Sequence, residues 1–288
     1  MKYGAIEAGG TKFVCAVSNE NLEIIERVSI PTTTPDETMK SVFEFFDKYN
    51  LEAIGIGSFG PIDVNRKSKT YGYITTTPKL AWANYNFVGI IKDRYNIPIG
   101  WTTDVNAAAL GELKKGAAFG LQSCVYLTVG TGIGGGAVIN GQLLEGYGHP
   151  EMGHILVRMH NNDKYEGACP YHSNCLEGIA SGPAIEERWG KKAYELEENK
   201  EVWKIEAFYL AQAVMTYTLI LSPERIVLGG GVMKQRQLFP LIRKEVEQLM
   251  KKYVAMPNLD EYIVPPALGD NSAIMGCLLL AQKTNENV

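Results

Sequence analysis

The sequence has little of what marks several classes of protein. Its 28 Lys and Arg residues stand against 32 Asp and Glu residues, with a formal net charge of −4 and no basic run, so no nucleic-acid partner is expected. The longest nearly apolar stretch, residues 207–221, is shorter than the roughly 20 residues that cross a bilayer, which predicts a buried helix and no membrane partner. Glu7 and Lys12 interrupt any apolar N-terminal core, so no secretory signal is expected and the predicted location is the cytoplasm.

Cysteine is scarce, and both low-complexity sequence and the P-loop motif for nucleotide binding are absent. The chain has five cysteines. Because this number is odd and no secretory signal is expected, reduced thiols or metal ligands are favoured over a disulfide framework. No P-loop is predicted, because the sole Gly-Lys pair, Gly190-Lys191, is followed by Lys192. The 288 residues, 45% of them hydrophobic, are enough to bury about three quarters of the unfolded chain's surface. This length fits one large domain or two modest ones and excludes a disordered chain.

The order of elements predicts an α/β fold. Strand-like stretches at 3–8 and 13–18 are joined by Gly9-Gly10-Thr11-Lys12, and a third stretch at 22–30 completes a three-strand meander. A capping box of Thr34 and Glu37 predicts a helix beginning at Pro35. Further along the chain, a helical segment lies between two buried strands, and this alternation is typical of α/β proteins; the three segments are 53–58, 87–94 and 97–102.

The second half repeats this beginning. A strand at 124–129, a glycine loop at 130–136, a strand at 137–139 and a turn at Asn140-Gly141 follow in the same order. Thr11 and Thr131 lie 120 residues apart, which indicates a duplication, although a strand, a glycine turn and a strand also recur by coincidence. The remaining predicted elements are helices at 176–189, 203–221, 238–253 and 271–282, and a strand at 225–228.

Three glycine loops are candidates for binding phosphate or nucleotide, because backbone N–H groups approach an anion most closely where glycine removes the side chain. They are Gly9-Gly10-Thr11, Gly130-Thr131-Gly132 and Gly229-Gly230-Gly231. A single loop of this kind is more often only a tight turn, but three of them favour a phosphate clamp. Two formal dinucleotide patterns, one at 55–60 and one at 130–135, lack the following helix that such a site needs, so no nicotinamide-type site is predicted.

All four histidines fall within 24 residues, next to two cysteines. The spacing His154-x₁₄-Cys169-x₂-His172-x₂-Cys175 supplies two imidazoles and two thiols, the donor set of a tetrahedral structural zinc site. The alternative is a reduced surface loop without metal. With four protein ligands, a zinc ion has no position left for substrate, so its role would be to order the loop.

Seven motifs together resemble the ROK family of sugar kinases, within the actin-like ATPase superfamily, and most closely its bacterial fructokinases. They span nearly the whole chain: Glu7 to Lys12, Ile54 to Gly57 with Gly60 to Asp63, Thr103 to Ala107, Thr128 to Gly136, Glu151 to His154, Cys175 to Glu177 and Leu228 to Gly231. The resemblance implies two ribonuclease-H-like domains with a cleft between them, closing on MgATP, and a homodimer. The expected small domain is 1–115 with a C-terminal helix at 271–288; the large domain is 116–270 with a zinc loop at 154–175.

The resemblance also implies a role for each matching residue. Asp104 would be the general base, although Asp before a helix is also a good N-cap. The sugar would meet Asn106, Glu151, His154 and Glu177. The phosphates would meet Gly9, Gly10, Thr11, Lys12, Thr131 and Gly132, and the nucleoside would lie near Gly229, Gly230 and Gly231.

The chain departs from the family pattern at two positions. Glu7 replaces the usual Asp, whose expected contact with magnesium runs through water. His172 replaces a thiolate among the zinc ligands, which leaves His149 or His160 as alternative ligands.

The resulting hypothesis is ATP-dependent phosphorylation of a hexose, most directly fructose to fructose 6-phosphate. The alternatives are glucose, mannose or N-acetylmannosamine as the substrate, since one hydroxyl decides such specificity, or a non-catalytic sugar-binding regulator. Repressors of the family carry an N-terminal DNA-binding domain, whereas the first glycine hairpin here begins within ten residues of Met1.

Overall fold

Two five-stranded sheets form the framework of the protein, seen in a computed structural model that describes residues 1–286. In chain order the strands are β1 (Lys2–Ala8), β2 (Lys12–Asn19), β3 (Ile24–Pro31), β4 (Ala53–Ser58), β5 (Tyr73–Ile74), β6 (Tyr85–Asn86), β7 (Ile99–Thr103), β8 (Cys124–Val129), β9 (Ile133–Ile139), β10 (Gln142–Leu143), β11 (Arg225–Gly229) and β12 (Ile263–Val264). The helices are α1 (Pro35–Phe46), α2 (Phe87–Tyr95), α3 (Asp104–Lys115), α4 (Leu176–Ala180), α5 (Gly182–Trp189), α6 (Lys200–Leu221), α7 (Leu238–Met250), α8 (Leu259–Tyr262) and α9 (Ser272–Glu286).

The two sheets share one topology. The first has the order β3-β2-β1-β4-β7 and the second the order β10-β9-β8-β11-β12. In each sheet the central strand pairs antiparallel with the strand after it and parallel with the next strand outward: β1 with β2 and β4, and β8 with β9 and β11. The repeated element order in the sequence therefore corresponds to a repeated sheet.

Local sequence signals set most of the element boundaries. Thr34 caps α1 by accepting a hydrogen bond from the Glu37 N–H, with Pro35 in the first turn, as the capping box predicts. The Asn140-Gly141 turn has positive φ at both residues, the geometry of the two-residue hairpin turn that this pair favours.

Three predicted elements differ from the structure. The helix expected at 238–253 ends at Met250, because Lys251 adopts the left-handed conformation. The helix expected at 176–189 is two helices, because Ser181 is extended and caps α5 through its hydroxyl, and Pro183 lacks the N–H that a continuous helix would use. The glycine loop expected to run to residue 136 ends at Gly132, since β9 begins at Ile133 and pairs its glycines with β8.

Small residues let helices α3 and α9 pack closely on one another and on β4. A Cβ at Gly276 would lie 1.7 Å from the Ala107 carbonyl oxygen, and a Cβ at Gly55 would lie 1.9 Å from the Cys277 carbonyl oxygen. Gly55 of the formal dinucleotide pattern therefore serves helix packing, which agrees with rejecting that pattern from sequence.

The chain divides into two compact units. The first contains residues 1–116, 143–150 and 270–288, and the second contains residues 117–142 and 151–269; residues 287–288, which the predicted C-terminal helix at 271–288 includes, lie outside the described residues. The first unit holds the first five-stranded sheet, and the second unit holds the second sheet except for Leu143 of β10, which belongs to the first unit. Across residues 1–286, no helix combines the length and the apolar character that a membrane span requires.

Candidate functional site

The first glycine hairpin connects β1 to β2 in the first unit. The Gly9 N–H donates to the Lys12 carbonyl oxygen at 3.0 Å. Thr32, which follows β3, supports the hairpin twice: its hydroxyl donates to the Gly9 carbonyl oxygen at 2.8 Å and its N–H donates to the Thr11 carbonyl oxygen at 3.0 Å. The carbonyl groups are thus occupied by the protein, while the side chains of Thr11 and Lys12 are exposed and available to an anion.

Asp104 lies at the same edge of this sheet. Ala8 pairs with Ser58, and Ser58 pairs with Thr103, so Gly9 and Asp104 leave the sheet from one row, two strand spacings or about 10 Å apart. The carboxyl end of parallel strands is where open α/β sheets place their ligands. The order of strands, rather than the local sequence, brings hairpin and carboxylate to one edge.

The N-cap of α3 is Thr103, not Asp104. The Thr103 hydroxyl accepts a hydrogen bond from the Asn106 N–H at 3.1 Å, and Asp104 is the first helical residue. The alternative interpretation of Asp104 as the cap is therefore wrong. Its Oδ1 accepts a hydrogen bond from the adjacent Val105 N–H at 2.9 Å.

Glu7 precedes the hairpin, and the Asp104 carboxylate affects its pKa. Burial, with the Asp104 carboxylate as the second cause, raises the pKa of Glu7 to about 7, although Arg27 and Lys12 oppose the shift and Asp270 adds to it. Carboxylates gathered in this way favour a divalent cation, since magnesium prefers oxygen ligands and keeps several waters. Glu7 is therefore a candidate for binding magnesium through water, as predicted from the sequence.

Asn106 is fully buried. Its Nδ2 donates to the Thr102 hydroxyl at 3.2 Å. The structure thus places this predicted sugar ligand within the first unit, on the first turn of the helix that Asp104 begins.

The two glycine loops of the second unit lie side by side. Gly229 pairs with Thr128 across the parallel strands, and a Cβ at Gly130 would lie 3.9 Å from the Gly231 nitrogen. The Gly182 N–H at the start of α5 donates to the Gly130 carbonyl oxygen at 2.7 Å. Gly230 has a φ of +91°, which a residue with a side chain rarely adopts.

The four predicted zinc ligands meet in one cluster. Their donor atoms all lie within 4.8 Å of one another; His154 Nδ1 is 3.7 Å from Cys169 Sγ and 3.5 Å from Cys175 Sγ, and His172 Nδ1 is 3.9 Å from Cys169 Sγ. Tetrahedral zinc with ordinary Zn–N and Zn–S lengths separates its ligand atoms by about 3.5 Å. The donor set and the spacing therefore fit zinc.

The other two histidines lie outside the cluster in different roles. His149 Nε2 accepts a hydrogen bond from the Ile62 N–H at 2.9 Å, and His160 Nδ1 accepts from the Asn162 N–H at 3.3 Å. Neither His149 nor His160 replaces His172 in the cluster.

Glu177 connects the cluster of His154, Cys169, His172 and Cys175 to the second glycine hairpin. Its Oε2 accepts from the Ile133 N–H at 2.9 Å, and a Cβ at Gly132 would lie 2.6 Å from the same oxygen. Its Oε1 lies 3.9 Å from His154 Nε2. His154 therefore faces the two cysteines through Nδ1 and Glu177 through Nε2, so one imidazole ring contacts both the cluster and Glu177.

Glu151 completes the polar group of the second unit. Partial shielding from water raises its pKa, with the Glu177 carboxylate adding to the shift and His154 opposing it. Glu151 therefore interacts electrostatically with His154 and Glu177, and the role of the three residues as sugar ligands stays a prediction.

Sequence reasoning missed the contacts that anchor the loop at 154–175 through Asp163. Asp163 forms an ion pair with Arg188 of α5 at 3.1 Å, and the two side chains are 3% and 7% exposed. Tyr209 of α6 donates to the same Asp163 oxygen at 2.6 Å. No short motif signals these contacts, because the three residues are separated by 21 to 46 positions in the chain.

Two repeated ribonuclease-H-like sheets, with glycine hairpins at their first turns and a carboxylate at a strand end, define a protein of the actin-like ATPase class. A family model described as "ROK family" matches residues 3–284. The chain belongs to the ROK family.

Individual relatives agree over nearly their full lengths. A protein of Bacillus subtilis (strain 168) is 54% identical over 284 residues, which cover 97% of this chain and 95% of that protein. The fructokinase of Pediococcus pentosaceus is 49% identical, with all of both chains covered. Among solved structures, a ROK hexokinase from Thermus thermophilus has a TM-score of 0.83 at 26% identity, again with both chains covered completely.

Proposed function

We propose that the protein transfers the γ-phosphoryl group of MgATP to fructose, forming fructose 6-phosphate and ADP. The observation that carries this proposal is the position of Asp104. Thr103, not Asp104, caps helix α3, and Asp104 follows β7 at the same edge of the sheet where the hairpin Gly9-Gly10-Thr11 follows β1. The fructokinases of Pediococcus pentosaceus and Streptococcus mutans, 49% and 48% identical to this chain, support fructose as the sugar.

In the proposed reaction Asp104 accepts the proton of the attacking hydroxyl as its oxygen bonds to phosphorus. The bond between the γ-phosphorus and the bridging oxygen breaks, and ADP leaves with that oxygen. A sugar alcohol is a weak nucleophile, and a positioned base contributes typically about 10²- to 10⁴-fold to such a step. The backbone N–H groups and hydroxyls of Thr11 and Thr131 are assigned to the phosphates, and Gly229 to Gly231 to the nucleoside.

The sugar hydroxyls are assigned to Asn106, Glu151, His154 and Glu177, whose amide, imidazole and carboxylate groups suit polyol recognition. His154, Cys169, His172 and Cys175 would hold zinc, which orders the loop when bound and supplies no reactive position. Because Glu177 follows Cys175 by two residues and contacts His154, order in this loop sets the position of a proposed sugar ligand.

The same proposal includes a homodimer and a cytoplasmic location. It also includes a small domain at 1–115 with the predicted C-terminal helix at 271–288, and a large domain at 116–270 from which residues 143–150 are excluded, because they belong to the first compact unit. Leu219 and Ile220 at the end of α6 are 47% and 72% exposed, which supports an apolar contact there. Light scattering tests the dimer: Ile220→Lys is expected to shift the mass toward one chain, and a wild-type protein of one chain would contradict it.

Coupled measurement of ADP release tests the activity. We expect MgATP turnover with fructose in a panel that also contains glucose, mannose and N-acetylmannosamine. Asp104→Asn is expected to lower kcat by about 10²- to 10⁴-fold with unchanged ATP affinity, whereas Asp93→Asn, at an exposed helical position of the same unit, is expected to keep kcat. Sugar-dependent stabilisation without ADP release would instead identify a binding protein, and an active Asp104→Asn enzyme would exclude Asp104 as the base.

A further inference from the structure

Lys79 lies against the first glycine hairpin, although neither the motifs nor the proposed function uses it. A Cβ at Gly10 would lie 3.6 Å from Lys79 Cε. The side chain therefore passes over the hairpin at ordinary van der Waals distance.

The position of Lys79 is set by a buried tryptophan three residues later. Trp82 is 1% exposed, and its indole N–H donates to the Thr33 carbonyl oxygen at 2.8 Å. The Trp82 backbone N–H donates to the Lys79 carbonyl oxygen at 2.8 Å. Since Thr32, the neighbour of Thr33, hydrogen-bonds the hairpin itself, one continuous network fixes the backbone of Lys79 relative to Gly10.

The ammonium group of Lys79 is not neutralised by the protein. The side chain is exposed, and within residues 1–286 no carboxylate forms an ion pair with it. Lys12 of the hairpin is exposed as well. Two cations therefore flank a loop whose N–H groups suit an anion.

We propose that Lys79 is a catalytic residue whose ammonium group binds the phosphoryl group during its transfer. This assignment rests on the proposed function. In the step described above Lys79 stays protonated, donating hydrogen bonds to the oxygens of the transferred group and passing no proton. A lysine acts on phosphate as a compact point charge, and phosphoryl transfer depends on such charge stabilisation.

The geometry selects the transferred phosphoryl group over the rest of the triphosphate. Gly9 and Asp104 leave the sheet from one row, about 10 Å apart. The phosphoryl group that moves to the sugar must lie between the hairpin and Asp104. Lys79, which lies over the hairpin, would therefore be near the phosphoryl oxygens that carry negative charge in the transition state.

The test compares Lys79→Met with Lys92→Met, an exposed lysine on α2 of the same unit. Steady-state ADP release with fructose is expected to show a fall in kcat of about 10²-fold for Lys79→Met, the cost typical of losing one such donor. The KM for fructose and the melting temperature are expected to match the wild type. Lys92→Met is expected to keep kcat.

A binding measurement isolates the transferred group. In the presence of fructose and magnesium, the wild type is expected to bind ADP with aluminium fluoride more tightly than ADP alone, and Lys79→Met is expected to lose most of that gain while keeping its Kd for ADP. An unchanged kcat in Lys79→Met, a rise in the KM for fructose alone, or an equal loss of ADP affinity would each overturn the assignment. A wild-type protein without kinase activity would instead refute the proposed function, so the two failures are distinguishable.

Discussion

The buried ion pair between Asp163 and Arg188 offers the sharpest test of what holds the loop at 154–175 in place. Both side chains are almost fully buried. Asp163 also accepts hydrogen bonds from the Tyr209 hydroxyl and from the Tyr165 N–H, at 2.6 and 3.0 Å. Asp163→Ala removes all three contacts and leaves the Arg188 guanidinium buried without its counterion.

Removing one partner of a buried pair costs about 3–5 kcal/mol of unfolding free energy, because the remaining charge is uncompensated. We expect about 3 kcal/mol for Asp163→Ala, since Arg188 keeps a hydrogen bond to the Ile179 carbonyl oxygen and stacks over the Tyr165 ring at 4.7 Å. This is a large share of the roughly 5–15 kcal/mol that stabilises a typical protein.

Urea denaturation followed by circular dichroism measures the effect. The control is Asp260→Ala, which breaks the ion pair with Arg243, where the aspartate is 76% exposed; exposed pairs contribute about 0–1 kcal/mol. Equal losses in the two variants would refute the reasoning from burial. A second variant pair, Asp163→Leu with Arg188→Met, is expected to recover most of the loss because it leaves no buried charge.

Two further predictions concern the metal and a buried acid. Chelation is expected to raise the KM for fructose before the far-ultraviolet circular dichroism changes. The reason is that the proposed zinc would fix His154, which lies beside Glu177, while Asp163 anchors the loop at 154–175 separately. Unchanged activity after metal analysis confirms removal would contradict this. Glu206 is fully buried, both its oxygens lack hydrogen-bond partners among the described residues, and burial raises its pKa far above the ordinary value. Because the pKa of Glu206 is higher in the folded state, the wild type keeps its full stability below about pH 4.5 and loses stability as the pH rises. Glu206→Gln does not titrate, so its melting temperature minus that of the wild type should increase from pH 5 to pH 8. A constant difference would show that Glu206 does not titrate in this way.

Prediction from sequence succeeded where the signal was local or the chemistry specific. The capping box at Thr34 is formed, and the spacing from His154 to Cys175 brings four metal-binding side chains together. Such patterns work because a turn, a cap or a short metal loop is determined by residues a few positions apart. The break at Ser181 was missed, because the apolar pattern on either side of it continues without interruption.

Other features depend on contacts that no local pattern reports. By residue type Asp104 is the slightly better N-cap and Thr103 is also a favourable one, so only the hydrogen bond from the Asn106 N–H identifies Thr103 as the cap. Lys79 and Gly10 are nearly 70 residues apart, and they meet because Trp82 packs against Phe13 with ring centroids 5.1 Å apart.

The amino-acid sequence alone determined the α/β class, the repeated element order, the glycine hairpins and the donor set for zinc, since these follow from periodicity, turn chemistry and ligand type. Only the tertiary structure decided that Gly9 and Asp104 share one edge of a sheet, that Asp163 is buried against Arg188, and that Lys79 lies over the hairpin. The physical reason is that strand pairing and core packing bring together residues far apart in the chain. Burial then determines how much free energy it costs to keep each side chain charged away from water.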